Sequence, residues 1–392
     1  MPSLSEETNG KISQLMPGAT IGIIGGGQLG QMMAISAKYH GFRVGTLDPT
    51  PDCPTAQVAD FQIVAEYDDK TAIHELAERS DVLTYEFENV DADAIDEVRD
   101  LAAVPQGTDL LRVTQDRVHE KQFINDHGTA TAPWRAVDDA VGLRAAIREI
   151  GYPAVLKTRC GGYDGHGQDV LRGDDDLERV LARAQEEGSF AASILEGFVD
   201  FAFEASILVS GNGTDLVTFP IVRNEHRNNI LHLTIAPARV EPSIEREAHE
   251  LAVRLAKGFE LAGTLAIELF ITKDGRVVVN ELAPRPHNSG HYTIEACSLD
   301  QFDAHIRGIV GWPLEQPCLL SSAVMVNVLG QHVAPTRALI AEHPEWNVHD
   351  YGKAEIKHNR KMGHITVLTN DTAATVDALE ETGCWNDLKA GE

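Results

Sequence analysis

Leu265-Ala266-Ile267-Glu268-Leu269-Phe270, then Lys273-Asp274-Gly275-Arg276, then Val277-Val278-Val279-Asn280-Glu281-Leu282: two apolar strands joined by a tight turn carry two acids. Asp-Gly is a strong signal for a two-residue type I′ hairpin turn. With Asp274-Gly275 at its centre, facing residues have numbers that sum to 549, as Glu268 and Glu281 do. Their Cβ atoms are then expected about 5 Å apart on one face. Two like charges opposed on a partly buried sheet destabilise it unless something neutralises them. A divalent cation does so. Oxygen ligands without His or Cys suit Mg²⁺, which binds through one or two carboxylates together with nucleotide phosphates. Asn280 adds a polar ligand beside Glu281. The plainer alternative is one protonated glutamate, or two that reach solvent, and a bulge at the turn would change the register.

Two glycine loops lie upstream. Lys157 ends the strand Ala154-Val155-Leu156 and is followed by Gly161-Gly162-Tyr163-Asp164-Gly165-His166-Gly167-Gln168. Such a loop can fold over phosphates, its N–H groups cradling them while the ammonium offsets charge. No Gly-Lys-Ser/Thr follows, so it is not a Walker A loop. A flexible hairpin tip is the competing reading, and the carboxylate pair downstream favours phosphate. Nearer the start, Gly25, Gly27 and Gly30 fit G-x-G-x-x-G between a strand and a helix, with Asp48 ending the next strand. That resembles a dinucleotide fingerprint. A substrate site on a Rossmann-like sheet is the preferred reading, because a different nucleotide site is already supplied.

The chain has 392 residues and a formal charge of −27. That length predicts two or three domains. The charge repels nucleic acid and anionic membrane, so an anionic ligand requires a locally basic site. No run of about 18 apolar residues occurs, which predicts no transmembrane helix. The five cysteines are far apart, arguing against a disulfide framework or zinc ribbon. Residues 1–18 read as a loose leader, and residues 19–115 as alternating strands and helices around a parallel sheet. Residues 116–315 form the next unit, with a small lid at about 130–195 and a larger part at about 196–315. A small β-rich unit fills 316–392.

These motifs, with Gly25-Gly26-Gly27-Gln28-Leu29-Gly30, Asn280-Glu281-Leu282-Ala283-Pro284-Arg285-Pro286-His287-Asn288-Ser289-Gly290-His291 and Tyr351-Gly352-Lys353…Arg360-Lys361-Met362-Gly363-His364, resemble the N5-carboxyaminoimidazole ribonucleotide synthetase family of ATP-grasp enzymes. The match runs in order from about Ile21 to Thr366. The resemblance implies an α/β and α+β architecture: an ATP-grasp fold with a Rossmann-like N-terminal domain and a small β-rich C-terminal domain. It implies that ATP phosphorylates bicarbonate to carboxyphosphate and that 5-aminoimidazole ribonucleotide is then carboxylated on its exocyclic amine. The expected cofactors are ATP and Mg²⁺, and the expected setting is a cytoplasmic homodimer in purine synthesis.

Carried over by motif, the ATP contacts are Arg112, Lys157, Gly162, Tyr163, Asp164, Gly165, His166, Gly167, Gln168, Glu196, Gly197, Phe198, Val199, Glu204, His226, Asn280 and Glu281. Glu268 and Glu281 are the metal ligands. Tyr163, His166, Arg285 and Asn288 are implied in catalysis. Gln28, Glu86, His287, His291, Lys353, Arg360 and Lys361 are implied at the ribonucleotide. Lys353 to His364 is the densest basic cluster of this acidic chain. His166 stands where the family usually has Arg or Lys, and its ordinary pKa near 6.5 predicts a steeper acid limb, tested by His166→Lys. Other ATP-grasp ligases, such as a formate-using glycinamide ribonucleotide transformylase or a biotin carboxylase, are the alternatives. An NAD-dependent oxidoreductase using Gly25–Gly30 is the reading from another class, and a non-catalytic nucleotide sensor follows if His166 disables chemistry.

Overall fold

The computed structural model describes residues 14–161 and 167–386. The leader up to residue 13 and the loop residues Gly162, Tyr163, Asp164, Gly165 and His166 therefore lie outside the described residues.

Strands β1 (Thr20–Ile24), β2 (Arg43–Leu47), β3 (Phe61–Ile63) and β4 (Val82–Tyr85) form a parallel sheet in the order β3-β2-β1-β4. Their near-continuous apolar runs suit a sheet covered on both faces. Ile21, Ile23, Val44 and Val82 pack to one side with the helix Gln28–Tyr39. Ile24, Leu47, Ile63, Leu83 and Tyr85 pack to the other, under the helices Lys70–Glu78 and Ala92–Glu97.

A second sheet, β5 (Trp134–Val137), β6 (Ala154–Thr158), β7 (Gln168–Leu171) and β8 (Ser193–Gly197), is antiparallel in the order β5-β8-β6-β7. The helices Ala140–Ile150 and Asp174–Glu186 cover it through Leu143, Ala146, Ile147, Leu177 and Val180. β6 ends and β7 begins on either side of the glycine loop in the sequence.

The remaining strands are β9 (Phe201–Asn212), β10 (Leu216–Thr218), β11 (Val222–Arg227), β12 (Ile230–Ala236), β13 (Ala262–Thr272), β14 (Val277–Ala283), β15 (Ser322–Leu329), β16 (Trp346–Asp350) and β17 (Lys361–Thr369). They make one sheet in the order β14-β13-β9-β11-β12-β15-β17-β16, with β10 paired to β9. The C-terminal strands are thus not a sheet of their own: β15 pairs with β12 and continues the large sheet. The helix Pro242–Gly258 packs on β9, β13 and β14 over the largest core cluster. The run Leu216 to Val222 reads as one strand in the sequence but is broken at Phe219-Pro220-Ile221, where proline has no N–H to give a ladder.

The hairpin that carries the acids reaches its register by an unexpected route. Thr272 N–H donates to the Arg276 carbonyl (3.0 Å) and Gly275 N–H to the Thr272 carbonyl (2.9 Å), with Gly275 at φ +81°. The turn therefore has three residues, Lys273-Asp274-Gly275, and the rungs next to it pair Ile271 with Val277, Phe270 with Val278 and Leu269 with Val279. A bulge then lets Asn280 and Glu281 together oppose Glu268, after which Ile267 pairs with Leu282. The one-residue excess in the turn and the one-residue bulge cancel, so Glu268 and Glu281 face each other as the simpler turn predicts.

Candidate active site

The bulge decides what gathers around the acids. Asn280 Nδ2 lies 3.4 Å from Glu268 Oε2. From above, the helix Arg117–Asp126 presents Arg117, Glu120 and Lys121 at i, i+3 and i+4, one face of its first turn. Arg117 Nη1 is 3.2 Å from Glu281 Oε2. Lys121 is fully buried, donates to the Asn280 carbonyl and sits 3.3 Å from Glu196 Oε2, which Lys157 also reaches at 3.1 Å. Asp116 caps that helix, accepting from Val118 N–H (2.9 Å) and from Arg159 (2.6 Å), and so ties it to the strand that leads into the glycine loop.

Burial pushes the Glu268 carboxyl up to about 7, and the facing Glu281 pushes the same way. Burial also opposes charge on Glu281, but Arg117 and Lys157 outweigh it and hold that carboxyl below its ordinary range. Glu196 behaves likewise: Lys121 and Lys157 overcome burial and bring it down to about 2. Lys157 is shifted downward, chiefly by burial. Glu120 is raised to about 7 by burial, its Oε1 accepting from Leu282 N–H at 2.7 Å. Alongside, Glu204 Oε2 receives His226 Nδ1 at 2.7 Å. Burial opposes a charged His226 ring, yet Glu204 and Glu268 carry the net shift upward.

The donor set suits a hard cation. Two carboxylates face each other, and Asn280 Oδ1 and Glu196 Oε1 are buried oxygens with no hydrogen-bond partner among the described residues. Among the described residues no group of three or more His, Cys, Asp or Glu is arranged to hold a metal.

One nucleotide-side residue needs correction. Arg112 is on the surface, paired with Asp93 (2.5 Å) and Asp96 (2.9 Å), and the arginine at the carboxylates is Arg117. Sequence reading also missed Glu120 and Lys121. Their signal was there: three charged residues on one face of a helix that has few apolar ones. Around the hinge, Gly197 N–H donates to the Pro133 carbonyl (2.8 Å) and Phe198 N–H to the Pro153 carbonyl (3.0 Å), leaving the Phe198 ring half exposed. The Val199 carbonyl accepts from Phe201 N–H at 3.1 Å. Gly167, at φ +78°, and Gln168, opposite Lys157, close the far side of the glycine loop.

At the other end the N-terminal sheet meets Pro284–His291 and the C-terminal strands. The Gly25–Gly30 loop does not wait for a phosphate. Glu86 fills it, accepting from Gly27 N–H and from Gly30 N–H (2.5 Å), while Asp48 takes Gly26 N–H (2.8 Å) and the Tyr67 hydroxyl (2.5 Å). A Cβ at Gly25 would stand 2.2 Å from Glu86 Cγ, so the glycine admits that carboxylate. The oxidoreductase reading fails here: the fingerprint's helix N-terminus and its ribose acid are both engaged within the protein. Gln28 opens the helix beside Glu86.

Burial raises the Glu86 carboxyl, partly offset by the Gly30 and Gly27 amides and, less, by Lys353 from across the junction. Lys353 donates to the Lys361 carbonyl (2.7 Å) and is lowered to about 8, first by burial and then by Arg360. Arg360 donates to the Glu355 carbonyl (3.0 Å) from an exposed position. Arg285 pairs with Glu88 at 2.5 Å. His287 Nε2 is 3.4 Å from Glu268 Oε1, joining the two ends of the site, and burial keeps its ring well below the ordinary histidine pKa. His291 is fully buried, and its Nε2 has no hydrogen-bond partner among the described residues.

Asn288 exchanges amide hydrogen bonds with Asn327, donating at 3.0 Å and accepting at 2.6 Å, which ties the loop to β15. One further expectation is corrected. The basic cluster is not one surface: Lys357 turns outward to Glu355 (2.6 Å), and His364 is buried behind Tyr351, whose hydroxyl meets its Nδ1 at 2.9 Å.

Comparison with known proteins follows the same division. Residues 18–115 match the ribonucleotide synthetase preATP-grasp domain, 122–302 the ATP-grasp domain, and 323–378 the phosphoribosylaminoimidazole carboxylase C-terminal domain. The chain is 47% identical over 384 residues to the N5-carboxyaminoimidazole ribonucleotide synthase of Bacillus subtilis, covering 96% of this chain and 98% of that one. The Staphylococcus aureus N5-carboxyaminoimidazole synthetase, solved with ADP, superposes with a TM-score of 0.91 at 42% identity, over 96% of this chain and 100% of the other. The Aspergillus clavatus synthase, solved with ADP and 5-aminoimidazole ribonucleotide, superposes at 0.85 and 29% identity, over 95% and 98%.

Proposed function

Because the chain belongs to the N5-carboxyaminoimidazole ribonucleotide synthase family, we propose a division of labour along its site, with nucleotide at the carboxylate end and ribonucleotide at the junction with the C-terminal strands. The activity is ATP-dependent carboxylation of 5-aminoimidazole ribonucleotide, a carbon–nitrogen ligation of purine synthesis. In the proposed sequence the γ-phosphoryl group passes to bicarbonate, and the exocyclic amine then takes the carboxyl carbon while phosphate leaves.

Positioning and charge neutralisation carry such a transfer. Lys157, kept in place by Glu196, and Arg117, kept in place by Glu281, meet the phosphates, with further contacts from Gly162 to Gln168. Glu196, Gly197, Phe198 and Val199 take the adenine edge, and Glu204 with His226 takes the ribose. Glu268, Glu281 and Asn280 would hold Mg²⁺, which supplies neutralisation of the developing phosphoryl charge. Tyr163 and His166, with Arg285, attend bicarbonate and the carboxylated intermediate. Gln28, Glu86, His287 and His291 face the imidazole and ribose. Lys353, Arg360 and Lys361 receive the 5′-phosphate, a locally basic answer to a chain of charge −27. A cytoplasmic homodimer completes the reading, its assembly to be checked by sedimentation velocity.

The observation that carries this division is His287, which touches Glu268 while sharing the Arg285 segment, so that the two ends form one continuous site. ADP release with ATP, Mg²⁺, bicarbonate and the ribonucleotide, each omitted in turn, tests it. Full activity without the metal or without bicarbonate overturns it.

A further inference from the structure

The segment Pro284–His287 holds Arg285 between two prolines, which fix the backbone φ on either side of it. Both ends of this segment are gripped from the helix Gln301–Ile309. At one end, the Gln301 side chain copies a strand: its Oε1 accepts His287 N–H (2.8 Å) and its Nε2 donates to the His287 carbonyl (2.9 Å). The same Nε2 donates to His291 Nδ1 (3.0 Å), which leaves the His291 proton on Nε2.

The grip at the other end is a relay. Thr264 N–H can only donate, so it makes His305 Nδ1 an acceptor (3.1 Å) and puts that ring's proton on Nε2. His305 Nε2 then donates to the Thr84 hydroxyl (2.9 Å), and Thr84 donates to Gln106 Oε1 (2.8 Å). Gln106 Nε2 donates in turn to the Pro284 carbonyl. The two ends of the chain impose the same direction, so each proton has one place.

Every side chain in the relay is buried, and burial keeps the His305 ring neutral, its pKa near 3. Space has been cleared for both grips. A Cβ at Gly263 would lie 2.9 Å from the His305 ring, and one at Gly290 would lie 2.4 Å from Gln301 Oε1. Gln301 and His305 are one turn apart on a single helix face. Thr84 is on β4 of the N-terminal sheet and Gln106 follows it, so the relay crosses from the large sheet to the N-terminal unit and back to the site.

We propose that Gln301 and the relay His305–Thr84–Gln106 are positioning residues for Arg285 and His287, fixing the ribonucleotide end of the site against the N-terminal sheet. This rests on the reading of Arg285 and His287 given above. Thr84→Val keeps shape and removes the hydroxyl, and Gln106→Met removes the last donor. Either should raise KM for the ribonucleotide or lower its kcat by roughly ten- to hundredfold, while ADP affinity by calorimetry stays within about twofold of the parent. His305→Gln, which retains a donor and an acceptor, should recover most of the activity that His305→Leu loses. Unchanged ribonucleotide kinetics in a folded Thr84→Val protein, or a parallel loss of ADP affinity, overturns the proposal. His287→Asn separates the two readings. If it leaves ribonucleotide kinetics intact, the site assignment has failed; if it impairs them while Thr84→Val does not, only the relay has.

Discussion

Removing the charge of Glu268 should act in opposite directions on stability and on turnover. Its folded pKa of about 7 lies above the ordinary 4.5, so the folded state binds that proton more tightly than the unfolded one. Without metal, the protein then loses stability as pH rises from about 4.5 to about 7, and the loss is complete above that window. Glu268→Gln should raise the melting temperature of the metal-free protein at pH 8 by roughly 2 °C or more. It should also lower Mg²⁺-dependent ADP release by roughly tenfold or more. Calorimetry and a coupled assay on the same preparation check both signs. Lys353 gives a second titration. Its cation is held to a pKa of about 8, so kcat/KM for the ribonucleotide should fall above that pH while KM for ATP stays level. Lys353→Met should abolish that limb of the profile, and a limb that persists in the variant refutes the assignment.

Among the elements, the Gly25–Gly30 turn offers the clearest test of close packing. Gly25→Ala must place a Cβ at φ +112° against Glu86, which is expected to cost about 1–3 kcal/mol in urea unfolding. Glu86 would shift with it, raising KM for the ribonucleotide and leaving ADP affinity alone. The same element shows where sequence reading stops. Strand, glycines and Asp48 were readable from local pattern, but the partner of the turn, Glu86, lies 56 residues beyond Gly30 and left no local trace. The Glu268–Glu281 pairing was readable because strand period and turn chemistry are short-range. The three-residue turn and the bulge that cancel each other were not, since a bulge is settled by packing of the finished sheet. Arg117 escaped for a related reason. Arg112 and Arg117 lie on neighbouring helical segments, and only the break at Asp116, which caps the second helix, turns Arg117 inward. The helix Thr372–Glu381, expected as part of a β-rich unit, is amphipathic only weakly, with Leu379 its one buried residue among those described.

For the whole molecule, the continuous sheet has a consequence that a three-domain outline hides. β12 passes its hydrogen bonds directly to β15, and Leu233 packs with Val324, Val326, Ile365 and Trp385 in one cluster. A fragment ending near Leu320 would bare both that edge and that apolar surface. It should aggregate or remain partly unfolded, as judged by size-exclusion chromatography and far-UV circular dichroism. A monodisperse, fully folded fragment would refute the structural dependence. The antiparallel sheet β5-β8-β6-β7 shares no strand with the large one. It is tied to the helix Arg117–Asp126 by Arg159, whose side chain pairs with Asp116 and whose carbonyl accepts from Arg117 N–H at 3.0 Å, and by Glu196 against Lys121.

The carboxylate that Glu86 lodges among the amides of Gly27 and Gly30 also bears on inhibitor chemistry. A competitor built on the phosphate-seeking logic of glycine turns would find those amides already taken. A hydrogen-bond donor at that end of a ribonucleotide mimic would suit the carboxyl better, and the mimic's acidic group would be better directed at Lys353.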